Sequence, residues 1–105
     1  MNDTIFTKII NKEIPADILF EDERVLAFKD INAQAPVHFL VIPKKAIATA
    51  NDIEAEDEAL VGYMHRVAAN IAKDLGVAQQ GFRTVMNCNQ DGGQTVYHIH
   101  LHVLA

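Results

Sequence analysis

The segment Thr95–Val103 reads Thr-Val-Tyr-His-Ile-His-Leu-His-Val, and it constrains this chain more than any other. Its alternation has a period of two, which predicts a β-strand. Val96, His98, His100 and His102 then share one face. Tyr97, Ile99, Leu101 and Val103 share the other, which reads as core. Three imidazoles in a row do not make a core face, because every ring needs hydrogen-bond partners. Spaced about 6.6–7 Å apart along one strand, the rings mark a site.

A chain of 105 residues suits one domain, residues 1–105. At that size it buries roughly 60–70% of its unfolded surface, so a second copy would add useful burial. The net charge is -5 and no Lys/Arg stripe is present, which argues against nucleic acid as a partner. A single nucleotide remains possible, because a local site overrides net charge. Cys88 is the only cysteine, which excludes an intrachain disulfide and reads as a plain thiol. Met1-Asn2-Asp3-Thr4 lacks a basic start, and no apolar run approaches a membrane span. No membrane partner is expected, and a reducing cytoplasm is the expected compartment.

Taken in order, the chain predicts a compact α+β domain. Thr4–Ile10 carries Ile5, Phe6, Ile9 and Ile10 at helical spacing, with Asp3 or Thr4 as N-cap. Pro15 blocks its continuation. Ile18–Phe20 and Val25–Phe28 are short strands joined by the polar turn Glu21–Arg24. Asp30–Pro36 is a loop. Val37–Ile42 is an apolar run broken only by His38, and it predicts a strand buried on both faces. A long helix is expected from about Glu54 to Leu75. Its stripe is Leu60, Val61, Met64, Val67, Ala68, Ile71 and Leu75, with His65 solvated off it. Glu54, Glu56, Asp57 and Glu58 suit its N-terminal dipole, and Gly76 its C-terminal stop. Gly81–Asn87 is a fourth strand, with Phe82, Thr84 and Met86 on one face. Asp91-Gly92-Gly93 is a turn leading into the histidine strand. Short connections imply an antiparallel sheet of five strands, with one long and one short helix.

If His38 joins the histidine face, four imidazoles converge. Such a cluster can ligate a transition metal. It can also supply one neutral imidazole as a nucleophile. A merely structural cluster is a costly way to fill an interior. Gln94–Ala105 offers no cysteine or carboxylate as a further metal ligand. It follows a glycine turn whose backbone N–H groups suit phosphate oxygens, with Gln94 and Thr95 beside it. Phosphate chemistry without metal or other cofactor is therefore favoured, with the metal-binding module as its rival.

His98-Ile99-His100-Leu101-His102-Val103-Leu104 resembles the motif of the histidine triad (HIT) family. Further segments resemble its Hint branch: Thr4-Ile5-Phe6, Glu13-Ile14-Pro15, Asp30-Ile31, His38 to Lys45, Asp74-Leu75-Gly76 and Asp91-Gly92-Gly93-Gln94. The resemblance implies a nucleotide-binding hydrolase of the phosphoramidase type. Its substrates would be purine nucleoside phosphoramidates and aminoacyl adenylates, with AMP or GMP as product. His100 would be the nucleophile on the α-phosphorus, held by the carbonyl of His98. His102 and Thr95 would contact the phosphate or leaving group, and His38 would complete the cluster. Asn87, Gly93 and Gln94 would line the phosphate path. Asp30 would bind the ribose, and Phe6, Ile9, Phe28, Ile31 and Leu40 would wall the base. The resemblance also implies a homodimer with a continuous ten-stranded sheet. Thr95 stands where the family usually has Ser, and Ala46 where many members have His. Relatives continue with a tail beyond the position of Ala105, where this sequence ends. A dinucleoside polyphosphate hydrolase and a nucleotide-switched interaction protein are the other readings.

Overall fold

The computed structural model describes residues 3–105; Met1 and Asn2, on which the reading of the N-terminus partly rests, lie outside them. Thr4 caps the first helix, α1 (Ile5–Ile10), its hydroxyl accepting the N–H groups of Phe6 and Thr7. Five strands follow in chain order: β1 (Ile18–Glu21), β2 (Val25–Lys29), β3 (His38–Pro43), β4 (Arg83–Val85) and β5 (Leu101–Leu104). They form one antiparallel sheet in the order β1-β2-β3-β5-β4. The β1–β2 turn is held by Asp22, whose carboxylate accepts the N–H groups of Arg24 and Val25. The long helix, α2 (Glu58–Asp74), lies between β3 and β4 in sequence.

Register fixes which side chains share a face. Leu40 lies opposite Phe28 on one side and His102 on the other, and Val41 lies between Ala27 and Leu101. Residues paired across a ladder point the same way, so β3 divides the interior in two. On one face Val25, Ala27, Phe39, Val41, Leu101 and Val103 pack beneath Met64, Val67, Ala68 and Ile71 of α2. On the other, Leu26, Phe28, Leu40 and Ile42 pack with Phe6 and Ile9 of α1. His38 and His102 belong to this second face, so the histidines turn away from α2.

The structure corrects several boundaries. The final ladder begins at Leu101, not Thr95. Upstream, the backbone bonds elsewhere: the Ile99 N–H goes to the Ile47 carbonyl and the Val96 carbonyl to the Gln94 side chain. The alternation of faces persists for Ile99, Leu101 and Val103, but Tyr97 is 46% exposed rather than core. β4 is shorter than Gly81–Asn87, and Thr84 is exposed while Phe82 and Met86 pack on the core. The long helix starts at Glu58 rather than Glu54, because Ala55–Asp57 forms a tighter 3-10 turn. Asp57 is buried, accepting the Glu54 N–H and pairing with Lys45. That lysine holds the Asp57 carboxyl below its ordinary value. Leu75 lies just past the end of α2 and is exposed. Gly76 has φ 77°, and the Val77 N–H returns to the Ala72 carbonyl. This is the glycine stop the sequence predicts.

Candidate active site

Each histidine is set by a different structural element. His98 precedes β5 and is buried; its Nε2–H donates to the Pro43 carbonyl at 2.7 Å, tying the segment to the end of β3. The His98 carbonyl in turn lies 2.9 Å from Nδ1 of His100. A carbonyl only accepts, so Nδ1 carries the His100 proton and Nε2 is left with its lone pair. The Phe6 and His100 rings meet edge to face at 4.9 Å between centroids, so α1 packs directly against the His100 ring.

A second chain of bonds sets His102. The Gln34 N–H points at Nδ1 of His38 at 3.0 Å, which requires a lone pair there. The single proton of the His38 ring therefore sits on Nε2, 3.0 Å from Nδ1 of His102. His102 accepts it, and its own proton is left on Nε2. The Asp30 Oδ2 lies 3.3 Å from the same His38 Nε2, while its Oδ1 accepts the Asn32 N–H.

Burial disfavours the charged form of a ring, and it is the largest influence on all three triad histidines. His98, His100 and His102 are each held below the ordinary imidazole value. Bonds to the Pro43 and His98 carbonyls offset this for His98 and His100. For His102 the neighbouring His100 and His38 add to the burial effect, and Asp30 opposes it. The site thus favours neutral imidazole, the nucleophilic form.

His100, His102, His38, Thr95, Asp30, Phe6 and Leu40 line one open cleft of about 460 Å³. An apolar pocket of about 210 Å³ adjoins it and shares Ile5, Phe6, Asp30 and Leu40; Ile9, Phe28 and Ile31 are among its other walls, with Ile14, Pro15 and Ala16. Asn87 lines a neighbouring groove with His102 rather than the cleft itself. Gln94 is not at the cleft surface. It is buried, its amide donating to the Ala48 and Val96 carbonyls and its oxygen accepting the Asn89 N–H. In the exposed glycine turn, two of the backbone donors are engaged within the turn: the Gly93 and Gln94 N–H groups bond the Gln90 and Asn89 carbonyls. Gly92 is fixed by space, since a Cβ there would sit 2.5 Å from the Cys88 carbonyl oxygen. The sequence reading missed Ile5, Asn32, Gln34 and Val96 as lining residues. Alternation put Val96 on the right face, whereas Gln34 acts through its backbone and leaves no side-chain signal.

Asp30, His38 and His102 bring three ligand atoms within 4.8 Å of one another, the one such set among the described residues. Their fit to a metal is poor. The Gln34 amide keeps the proton on His38 Nε2, where a metal needs a lone pair. No buried side-chain polar atom among the described residues lacks a partner.

Three alternate histidines running into β5, with His38 beside them and an apolar pocket adjoining, define a class. The HIT domain pattern matches residues 11–105, and the chain belongs to the HIT family. It superposes on a HIT family hydrolase from Legionella pneumophila with a TM-score of 0.96 and 48% identity, covering 98% of this chain and 92% of that one. A histidine triad protein from Clostridium difficile gives 0.95 and 48%, covering 100% and 93%. Over 102 residues the chain is 54% identical to the purine nucleoside phosphoramidase of Escherichia coli K12, spanning 97% of this chain and 86% of that protein. It is a HIT-family hydrolase close in sequence to purine nucleoside phosphoramidase.

Proposed function

We propose that the protein hydrolyses purine nucleoside phosphoramidates and aminoacyl adenylates through a nucleotidyl-histidine intermediate. The observation that carries this is the His100 Nδ1 bond to the His98 carbonyl, which aims an unprotonated Nε2 at the cleft. The base enters the apolar pocket between Phe6, Ile9, Phe28, Ile31 and Leu40, and Asp30 accepts the ribose hydroxyls. This puts the α-phosphorus in line with His100 Nε2. That nitrogen attacks, the P–N bond breaks, and the departing amine takes its proton from His102 Nε2. Thr95 contacts the phosphate oxygens through its hydroxyl. Water then attacks phosphorus and gives a proton back to His102 Nε2, the P–N bond to His100 breaks, and the nucleoside monophosphate leaves with both histidines restored. Two lower barriers replace one high one. No metal or other cofactor enters these steps.

The assembly suited to this chemistry is a homodimer formed by β4, which ends the sheet with one edge unpaired, a continuous sheet of both copies covering it. The cytoplasm suits a chain with one free thiol, and among the described residues no helix is long and apolar enough to cross a membrane. Mass spectrometry of protein quenched during turnover of adenosine phosphoramidate tests the mechanism. A nucleotidyl adduct on His100 is expected, and it should vanish in His100→Ala together with turnover. Full turnover by that variant excludes His100 as nucleophile.

A further inference from the structure

His38 Nε2 carries one proton and faces two acceptors. His102 Nδ1 is 3.0 Å away and Asp30 Oδ2 is 3.3 Å away. The Gln34 amide on Nδ1 keeps the ring from turning its proton elsewhere. Asp30 is anchored too: its Oδ1 is occupied by the Asn32 N–H, and its own N–H donates to the His38 carbonyl. Only Oδ2 is left to choose between His38 and whatever enters the cleft, which Asp30 also lines.

We infer that Asp30 couples nucleoside recognition to the chemical step, by competing with His102 for the His38 proton until a ribose hydroxyl occupies its Oδ2. The inference rests on the proposed function and concerns how that site is regulated by its own substrate. In the empty site the His38 N–H bonds His102 Nδ1, while Asp30 Oδ2, 3.3 Å from the same nitrogen, draws on that proton from the side. A hydroxyl donating to Oδ2 weakens that oxygen as an acceptor, and the N–H then goes wholly to His102 Nδ1. His102 is thereby held with its proton on Nε2, the form that donates to the departing amine. His38 is a positioning residue acting through His102. The ribose, remote from phosphorus, thus contributes to the rate and not only to affinity, a use of binding energy away from the reacting atoms.

The test compares adenosine 5′-phosphoramidate with its 2′,3′-dideoxy analogue in wild type and Asp30→Ser. Serine keeps an oxygen to accept the Asn32 N–H and maintain the turn, but has no second oxygen facing His38. In saturating single turnovers the wild type should process the dideoxy substrate more slowly, by about fivefold for a hydrogen bond worth about 1 kcal/mol. In Asp30→Ser the dideoxy substrate should react faster than it does in wild type, and the gap between the two substrates should close. A dideoxy rate in Asp30→Ser equal to or below the wild-type value overturns the coupling and leaves Asp30 as a ribose contact only. A ring-nitrogen readout separates this from the proposed function. On adding plain adenosine, which has no phosphorus, the ¹⁵N shifts of His102 should move toward pure acceptor at Nδ1 and pure donor at Nε2. 2′,3′-Dideoxyadenosine should not move them. Equal responses to both nucleosides overturn the coupling even if phosphoramidate turnover is rapid. The expected difference supports it even if phosphoramidate proves not to be the substrate.

Discussion

Replacing Gln94 by glutamate tests whether this residue is scaffold or substrate contact. The Gln94 Nε2 donates both its protons, to the Ala48 carbonyl at 2.8 Å and the Val96 carbonyl at 2.9 Å. In Gln94→Glu an oxygen takes that place and faces two carbonyl oxygens, while the bond from the Asn89 N–H survives. Two net hydrogen bonds of about 1 kcal/mol each are lost, and two carbonyls lose their donor in a buried setting. The expected destabilisation is about 2–4 kcal/mol, against a total of roughly 5–15 kcal/mol for a domain of this size. The deficit should depend on pH. Between two carbonyls the protonated carboxyl is favoured, so its folded pKa is raised above the unfolded value. The folded variant then binds more protons than the unfolded chain, and the gap to wild type narrows as pH falls from about 8 to about 5. Urea unfolding of both proteins across that range, alongside turnover at 25 °C, measures it. A loss under about 0.5 kcal/mol would refute the scaffold assignment. Intact stability with collapsed turnover would return Gln94 to the phosphate path.

Four further outcomes are expected. Burial holds His98, His100 and His102 below the ordinary imidazole value, so the acid limb of kcat/KM should lie below about pH 6.5, and a limb at or above it contradicts a neutral nucleophile. The same depression makes the unfolded chain bind protons first, so stability should be greatest above about pH 6.5 and fall as pH drops through and below it, read from urea midpoints. Dialysis against a chelator should leave turnover unchanged; a loss restored by zinc would reinstate Asp30, His38 and His102 as ligands. Sedimentation equilibrium at low micromolar concentration should give twice 11.6 kDa, and a single species at 11.6 kDa would remove the dimer.

Local sequence determined the parts of this protein whose cause is local. The period of two in Ile99, Leu101 and Val103 put those residues in the core because a pleated chain has no other way to separate apolar from polar side chains. Thr4 capped α1, and Gly76 stopped α2, because unpaired backbone groups and a positive φ act within a few residues. The His100–His98 bond is just as local, spanning two positions. Tertiary structure decided where backbone groups far apart in sequence would meet. β5 begins at Leu101 because Ile99 and Val96 are claimed by Ile47 and Gln94, which no alternation pattern records. Gln94 became a strut because the Ala48 carbonyl arrives from 46 positions away. The proton order in His38 and His102 rests on a 64-residue contact and on the Gln34 main-chain N–H, a group every residue but proline carries. The histidines announced a site by their type and spacing. Which nitrogen of each ring carries the proton was decided only when β3, β5 and the Asp30–Pro36 loop came together.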